Sequence, residues 1–410
     1  MFASLRHRNI RLFFGGQLIS QIGNWLTILA QALFVYALTG SGLALGLVAA
    51  AQFLPLLVLG PWAGVLADRF DKRRLLIAAQ AASMLQSFGL AALAFSDSPP
   101  MNGLYAIAFV GGIISALDKP ARHGFVVELV PDQDVPNAIS LNSALMTGSQ
   151  IVGPALCGLL VTTVGFGWCF LIDGLSYVAV LVGLGAMNPE TIRRSPGTPR
   201  RPGQIMEGVR YIRSSPRLFI PLVTSAIVGV LALNHTIILQ ILVLRNMAGS
   251  DVDYSLALSV FSVGALVGAM SSARRAEIGL RDVVIATACF GATLVAMAGA
   301  PNLAWVFVIS ALMGIGCTSF LTLITSVLQV HVRADMRGRM LSIRTLVLEG
   351  TRPVGGPLVG AGCEFWSARA TFLIAGLSVF AATGWAWSAT RRLAASPDGA
   401  ADVWPDPIDV

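Results

Sequence analysis

Two residues of opposite charge lie three positions apart inside an apolar stretch near the end of the chain. Glu349 and Arg352 both fall within residues 340–363, and this spacing places them on one face of a helix. At 1.5 Å per residue, Glu349 would lie about 14 Å into that helix. Burial favours a neutral carboxyl group, whereas a neighbouring arginine favours the carboxylate. The pair could therefore take up and release a proton, or it could be a structural ion pair.

Other ionisable side chains in apolar stretches are few. Asp173 lies in the stretch 166–187, towards one end, where a structural hydrogen-bonding role is the interpretation we favour. We nevertheless assign it, together with Glu349 and Arg352, to proton coupling. Arg352 is the one arginine that we place inside an apolar stretch, which argues against a strongly cationic substrate cavity.

Two polar stripes follow helical spacing within apolar stretches. Their members recur at intervals of three, four or seven residues, so each stripe occupies one helical face. Polar side chains in a membrane face neighbouring helices or a wet cavity, and both interpretations remain open here. With one histidine added, the predicted cavity residues are Gln17, Gln21, Asn24, Gln31, His235, Thr318, Thr322 and Thr325.

The elements that position these residues are helices long enough to cross a membrane. Of 410 residues, 55% are hydrophobic and only 12% are charged, against about a quarter charged in a typical soluble protein. Apolar stretches that could each span about 30 Å recur along the chain. We place twelve of them at 10–38, 43–67, 74–95, 101–122, 137–163, 166–187, 218–244, 252–273, 281–299, 302–330, 340–363 and 367–390.

The positive charge of the chain is arranged for a membrane rather than for nucleic acid. The net charge is +7, but the basic residues fall in alternate loops between the apolar stretches. Because lysine and arginine mark cytoplasmic loops, both termini and the loop 189–217 are predicted to be cytoplasmic. We expect a multi-pass protein of the bacterial inner (plasma) membrane, with the lipid bilayer as a partner and no nucleic-acid partner.

The two halves of the chain repeat the same glycine and proline features. Gly60 and Gly64 recur as Gly264 and Gly268, and the pair at 153–154 recurs at 356–357, at offsets of 204 and 203. Duplicated halves of this kind are found in secondary transporters. The predicted fold is an all-α membrane protein with two pseudo-symmetric six-helix bundles. The predicted domains are an N-terminal bundle 1–188, a cytoplasmic linker 189–217 with a surface helix at 204–213, a C-terminal bundle 218–392 and a cytoplasmic tail 393–410.

A dense charge cluster separates the second and third apolar stretches. It begins at Gly64 and reads Gly-Val-Leu-Ala-Asp-Arg-Phe-Asp-Lys-Arg-Arg. The cluster resembles the G-x-L-A-D-R-x-G-R-R loop between helices 2 and 3 of the major facilitator superfamily (MFS), with Asp71 where that family usually has glycine.

The resemblance implies a conformational latch, with a solvated charge run as the alternative interpretation. Asp68 would lie against the start of the eleventh stretch, where a helix N-terminus favours negative charge. Arg73 would pair with Asp118. The residues implied in the latch are Gly64, Asp68, Arg69, Arg73, Arg74, Asp118 and Arg122.

Further segments are similar to a drug- and siderophore-exporting branch of the MFS. They include Arg8-Asn9-Ile10-Arg11-Leu12-Phe13, Pro120-Ala121-Arg122, Asn137-Ala138-Ile139 and Arg337-Gly338-Arg339. The fifth stretch also resembles the glycine-proline motif associated with MFS antiporters, through Gly148, Gly153, Pro154 and Gly158. Simple helix packing is the alternative explanation of that motif.

The expected function is transport driven by an ion gradient. No phosphate-binding GxxxxGK[ST] loop, GxSxG or HExxH motif occurs, and the histidines and cysteines show no metal-ligand spacing. We therefore expect no enzyme activity, no cofactor and no metal. The resemblance implies a monomeric exporter that exchanges a small hydrophobic or amphipathic compound for protons. Export of an endogenous siderophore or metabolite is the alternative, and a non-transporting receptor or channel of MFS shape is the alternative outside transport.

Overall fold

The helices account for the regular structure of the described chain. The structure is a computed structural model that describes residues 3–193, 204–274, 279–333 and 336–395. Its α-helices, in chain order, are α1 Arg8–Thr39, α2 Gly42–Arg69, α3 Lys72–Ala94, α4 Met101–Glu128, α5 Val135–Thr163, α6 Phe166–Gly185, α7 Gln204–Ser214, α8 Pro216–Leu231, α9 His235–Ile241, α10 Asp251–Ala273, α11 Leu280–Ala298, α12 Leu303–Val330, α13 Arg337–Gly350, α14 Arg352–Phe365 and α15 Ala368–Ala394. Within these ranges, 11 helical segments are long and apolar enough to cross a membrane.

The chain divides into two compact units. The first contains Met1–Arg200 and Gly249–Ser259, and the second contains Arg201–Ala248 and Val260–Val410. The start of α10 therefore belongs with the first unit. The boundaries predicted for the two bundles stay a prediction, and part of the predicted linker, 194–203, and most of the tail, 396–410, lie outside the described residues.

In the first unit, long uninterrupted helices pack in pairs. Helix α1 lies against α5 and α6, α2 against α4, and α3 against both α4 and α6. The rings of Phe13 and Phe125 meet edge to face, 5.5 Å apart, in an apolar cluster near the charged end of α4. A Cβ atom on Gly112 would lie 2.2 Å from the backbone oxygen of Gln52, so glycine is what lets α4 approach α2 this closely.

In the second unit, α11 packs against α12 and α15, and α8 packs against α13, α14 and α15. The surface helix predicted at 204–213 is present as α7. It contacts α13 through an ion pair of 2.9 Å between Glu207 and Arg339, and through Gly208, which lies beside Ile343. This helix is therefore held against the start of the eleventh predicted span.

The eleventh predicted span is not one continuous helix. The stretch 340–363 is divided into α13 and α14, which meet at Thr351, and neither part has the length of a membrane span. The break has a local cause, because Pro353 has no backbone N–H and its ring disfavours a helical residue before it. The prediction of a single helix here was wrong.

The seventh predicted span is also interrupted. Helix α8 ends at Leu231, a 3₁₀ turn covers Ala232–Asn234, α9 follows, and Leu242–Asn246 form a π-helical segment. The sequence led us to expect one regular helix over 218–244. Irregular backbone at membrane depth is tolerated only where neighbouring protein or water satisfies its polar groups, so these two interruptions mark the parts of the second unit where function is expected.

Candidate functional site

The predicted proton-coupling pair lies at the break between α13 and α14. Glu349 is near the end of α13 and Arg352 begins α14, with Thr351 between them. The Nε atom of Arg352 lies 3.7 Å from Oε2 of Glu349, which is an ion-pair distance but too long for a hydrogen bond. Oε2 of Glu349 has no hydrogen-bond partner, although 27% of the side chain is exposed. The pair is therefore loosely made and only partly shielded from water.

The break in α8 meets the break at Thr351. A Cβ atom on Gly229 would lie 2.5 Å from Oγ1 of Thr351, and one on Gly355 would lie 1.8 Å from the backbone oxygen of Val230. The side-chain amide of Asn234 donates to the same Val230 oxygen at 2.9 Å. Two glycines thus allow the interrupted segments to touch, and an asparagine supplies a hydrogen bond where the helical pattern of α8 ends.

His235 follows this turn and is buried. Its Nδ1 donates to the backbone oxygen of Ala232 at 3.0 Å, and its ring lies 4.8 Å from that of Phe261. Its Nε2 is buried without a hydrogen-bond partner. Arg352 is near enough to His235 to act on it electrostatically. The structure therefore brings His235 to the same broken region as the proton-coupling pair, as part of the second unit.

A second arginine belongs to this site, and the sequence-based prediction missed it. Arg344 lies in α13, five residues before Glu349, and interacts electrostatically with that carboxylate. It donates to the backbone oxygen of Leu321 at 3.3 Å, and its Nε has no partner. The statement that Arg352 is the one arginine inside an apolar stretch was therefore wrong. The signal was visible in the sequence, since residue 344 falls within the stretch 340–363.

The first unit contains a different buried carboxylate, that of Asp173. The residue is fully buried in α6 and accepts a hydrogen bond of 2.7 Å from Oγ of Ser87. Oγ of Ser176 lies 3.5 Å from its other oxygen. A Cβ atom on Gly23 would lie 2.5 Å from Oδ1 of Asp173, so α1 passes directly over the carboxylate. The hydrogen-bonding role predicted for Asp173 fits these contacts.

Asp173 also lines a closed polar cavity of about 40 Å³. Most of the lining comes from amide, hydroxyl and carboxyl side chains of five helices of the first unit. The lining residues are Asn24, Thr27, Ile28, Gln31, Gln52, Ser83, Gln86, Ser87, Gly111, Ser115, Asp173 and Tyr177. Ser83 and Ser87 were not among the predicted cavity residues, although their spacing of four on α3 is a polar stripe of the same kind as the two described above.

The residues predicted to line a substrate cavity are divided among different surroundings. Asn24 and Gln31 line the closed cavity beside Asp173. Gln17 and Gln21 are buried and bond to each other at 3.3 Å. In the second unit, Thr318 and Thr322 are half-buried, and Thr325 bonds to the backbone oxygen of Leu321 in its own helix at 2.6 Å. A shared role in binding substrate therefore stays a prediction.

The charge cluster does not form the predicted pair between Arg73 and Asp118. Arg73 instead donates to the backbone oxygens of Leu184 and Gly185 at the end of α6, at 2.8 and 3.1 Å. Arginine is well placed there because the last carbonyls of a helix carry partial negative charge. Asp118 forms a buried ion pair with Arg122 and accepts a hydrogen bond of 2.8 Å from Gln80.

The other predicted latch residues lie around the junction of α2 and α3. Gly64 and Arg69 belong to the last turns of α2, and Arg74 belongs to the first turn of α3. The side chain of Asp68 lies outside the described part of the structure. Asp71 takes the place of the usual glycine without strain, since its φ is −60° and its carboxylate accepts from the backbone N–H of Arg74.

The glycine-proline motif of α5 is a packing surface. A Cβ atom on Gly153 would lie 2.5 Å from Cβ of Trp25, and one on Gly158 would lie 2.7 Å from Cβ of Ser255. Gly148 has no atom within 4 Å of such a position, and Pro154 is buried within the helix. Two of the three glycines thus place α5 against α1 and against the start of α10. The antiporter interpretation of the motif stays a prediction.

Comparison with known proteins agrees with this architecture. Two solved transporters match with TM-scores of 0.76 and 0.75 at 14% and 12% identity. They are a POT family transporter in complex with a thioalcohol-conjugated peptide, and a point mutant of the nucleoside transporter NupG. The alignments cover 94% and 93% of this chain, and 96% and 99% of those chains. At such low identity these matches show the fold alone, which is that of an all-α MFS transporter.

Relatives of known name are exporters. The chain is 24% identical to the staphyloferrin A transporter of Staphylococcus aureus, over 93% of this chain and 96% of that protein. It is 23% identical to macrolide efflux protein A of Streptococcus pyogenes, over 83% and 85% of the two chains. It is 26% identical to the multidrug efflux pump Tap of Mycolicibacterium fortuitum, over 86% and 88%. These relatives indicate an efflux transporter in the bacterial inner membrane and not an enzyme. A family model described as transmembrane secretion effector matches residues 1–408, and the chain therefore belongs to this family of the major facilitator superfamily.

Proposed function

We propose that the protein exports a small hydrophobic or amphipathic compound in exchange for protons, with Glu349 as the carboxylate that is loaded and unloaded. The observation that carries the proposal is the position of Glu349 and Arg352 at a break in a membrane span, against a second break at 229–235. Secondary transporters use interrupted helices of this kind to bind substrates and coupling ions.

The loose geometry of the pair supports a cyclic change of partner. Arg352 lies 3.7 Å from Oε2 of Glu349, and that oxygen makes no hydrogen bond. A proton can therefore replace the arginine as the compensating charge without breaking a tight bidentate pair. In the outward-facing state, acid outside the cell loads the carboxyl group. In the inward-facing state, the higher pH and the nearby arginines favour release, and substrate binding follows.

Arg344 gives a specific reason to keep a second candidate function, the export of an anionic siderophore or metabolite. With Arg344 and Arg352 beside the single carboxylate of Glu349, this group of three has a net positive charge whether or not Glu349 is protonated. A positive site favours an anionic substrate. One relative is a staphyloferrin A transporter, so we include that compound beside a macrolide among the probes.

We further propose that the protein acts as a monomer with both termini and residues 189–217 in the cytoplasm, and that the latch residues close the cytoplasmic side of the transport path. The arginine distribution supports the orientation. In a cysteine-free parent, Thr198→Cys should resist an impermeant thiol reagent added to intact cells, while Ser250→Cys should react. The reverse pattern of labelling would overturn the orientation.

The experiment for coupling is transport in proteoliposomes with and without an imposed pH gradient. The parent should accumulate a radiolabelled macrolide, staphyloferrin A, or both, only when the gradient is present. Glu349→Gln should lose this accumulation but retain exchange of labelled for unlabelled substrate, because exchange needs no net proton movement. Glu364→Gln, an exposed position in α14, is the matched control and should behave as the parent. Gradient-driven accumulation by Glu349→Gln at the parent level would make Glu349 a structural partner of Arg352.

A further inference from the structure

We propose that the closed cavity beside Asp173 binds one monovalent metal cation of the size of sodium, in competition with a proton on the carboxylate. The site lies wholly within the first unit and is distinct from the Glu349–Arg352 break in the second unit. The proposal concerns binding, and it stands or falls separately from the transport role of Glu349.

The charge balance of the cavity is the first argument. Asp173 is fully buried, and among the residues that line the cavity none is basic. An ionised carboxylate at membrane depth costs several kcal/mol unless a positive charge compensates it. The hydrogen bond from Ser87 relieves part of this cost but supplies no charge. A cation or a proton must therefore accompany the carboxylate.

The lining also offers the ligands that a hard monovalent cation needs. Such cations bind oxygen atoms of carboxylates, amides, hydroxyls and water. Besides Asp173, the cavity presents side-chain oxygens from Asn24, Thr27, Gln31 and Gln52. A single carboxylate matches a single positive charge. Among the described residues, no group of three or more histidine, cysteine, aspartate or glutamate side chains could hold a multivalent metal.

An unsatisfied amide at the cavity is the second, independent argument. Gln31 is 97% buried and lines the cavity, yet its Nε2 has no hydrogen-bond partner. Oγ1 of Thr27, which also lines the cavity, makes no hydrogen bond of standard geometry, although it is near enough to Asp173 to act on that carboxylate. Buried polar groups in proteins are nearly always satisfied by protein or water. The cavity volume of about 40 Å³ is enough for an ion with a water molecule, and a rotation of the Gln31 amide would turn its oxygen towards that ion.

The charged groups around the cavity are few, which makes the competition with protons simple. Tyr177 on α6 is the only other titratable side chain among the lining residues. Beyond the cavity, Asp118 and Arg122 on α4 act on Tyr177 electrostatically, but they form an ion pair with each other. Sodium binding should therefore weaken as the pH falls, because a proton on Asp173 removes the one negative charge at the site.

The test is the thermal stability of the purified full-length protein in sodium chloride against N-methylglucamine chloride at equal ionic strength. Sodium should raise the melting temperature of the parent, with an effect that saturates and shrinks at acidic pH. Asp173→Asn should remove the sodium-specific increase. Asp97→Asn, at an exposed position between α3 and α4, is the matched control and should keep it.

A second variant protects the test if Asp173→Asn does not fold. Thr27→Val keeps the carboxylate and the shape of the side chain but removes one oxygen, so the sodium concentration of half-maximal effect should rise about tenfold. Equal melting temperatures in the two salts for the parent would overturn the proposal. A dependence on pH alone that disappears in Asp173→Asn would also overturn it, and would mean that Asp173 holds only a proton.

Discussion

The Asp173 cavity and the Glu349–Arg352 break place a membrane carboxylate in two different settings. Asp173 is fully buried, hydrogen-bonded by serine and covered by Gly23 on an unbroken helix. Glu349 is 27% exposed, makes no hydrogen bond through Oε2 and lies where a helix is interrupted. The first carboxylate is held by its surroundings, whereas the second can exchange partners. This difference is why we assign the proton-exchange step to the second unit and a bound cation to the first.

The backbone makes the same distinction. In the first unit the helices α1 to α6 run without a break, and buried ion pairs such as Lys72–Glu128 and Asp118–Arg122 tie them together. In the second unit the backbone hydrogen bonds are interrupted around 232 and 351. A segment that already lacks regular hydrogen bonds loses little when it rearranges. Variants that disturb each region should therefore fail in different ways.

The largest effect should come from the buried ion pair of the first unit. Asp118→Ala leaves Arg122 without its carboxylate partner in a buried position. Breaking a buried pair by removal of one partner costs about 3–5 kcal/mol, so the variant should unfold at a clearly lower temperature and denaturant concentration. Asp132→Ala, at an exposed position, is the control. A melting temperature within about one degree of the parent would mean that the first unit is not held together by this pair.

The glycines at the two sites should give a smaller, unequal pair of effects. Gly355→Ala drives a methyl group into the backbone oxygen of Val230, whereas Gly23→Ala meets the side chains of Asp173 and Ser176. Overpacking costs about 1–3 kcal/mol, and a backbone atom can give way less easily than a side chain. We therefore expect Gly355→Ala to lower the unfolding temperature more than Gly23→Ala does.

Two glycines with open space beside them provide the controls for this comparison. Gly384 and Gly148 have no atom within 4 Å of the position that an added methyl group would take, so an alanine at either should leave stability unchanged or slightly increased. If Gly355→Ala and Gly384→Ala had equal stability, the close contact between the broken segments would not exist in solution.

The smallest expected effect is an energetic coupling close to zero between Arg73 and Asp118. Arg73→Ala removes hydrogen bonds to Leu184 and Gly185 and should cost about 1 kcal/mol. Because Asp118 has other partners, the double variant should show the sum of the single effects to within about 0.5 kcal/mol. Denaturant unfolding of the parent, both single variants and the double variant measures this. A coupling above about 1 kcal/mol would restore the pair that the sequence predicted.

The sequence predicted the fold well because the membrane restricts the choice of elements. Apolar stretches of sufficient length can only be helices in hydrocarbon, and the surface helix over 204–213 followed from its own residues. The breaks at 232 and 351 were harder to predict. Pro353 was a visible signal, but the contact of Gly355 with Val230 depends on where α8 lies in three dimensions.

The site was predicted in outline and not in its partners. Glu349, Arg352 and Asp173 were found because charge in an apolar stretch stands out in a sequence. The partners of Asp118 and Arg73 were not, since an ion pair depends on side-chain directions that spacing alone does not give. Gln80 and the carbonyl oxygens of Leu184 and Gly185 compete for the same groups. Arg344 was overlooked although its position in the stretch was plain.

The central claim is that substrate and proton exclude each other at Glu349, and the most direct test is proton release on substrate binding. Purified protein in weakly buffered detergent solution is mixed with whichever of the macrolide and staphyloferrin A the parent transports, and a pH-indicator dye reports the protons released. The parent should release protons in proportion to bound substrate, Glu364→Gln should do the same, and Glu349→Gln should bind substrate without release. Proton release by Glu349→Gln equal to that of the parent would contradict the account.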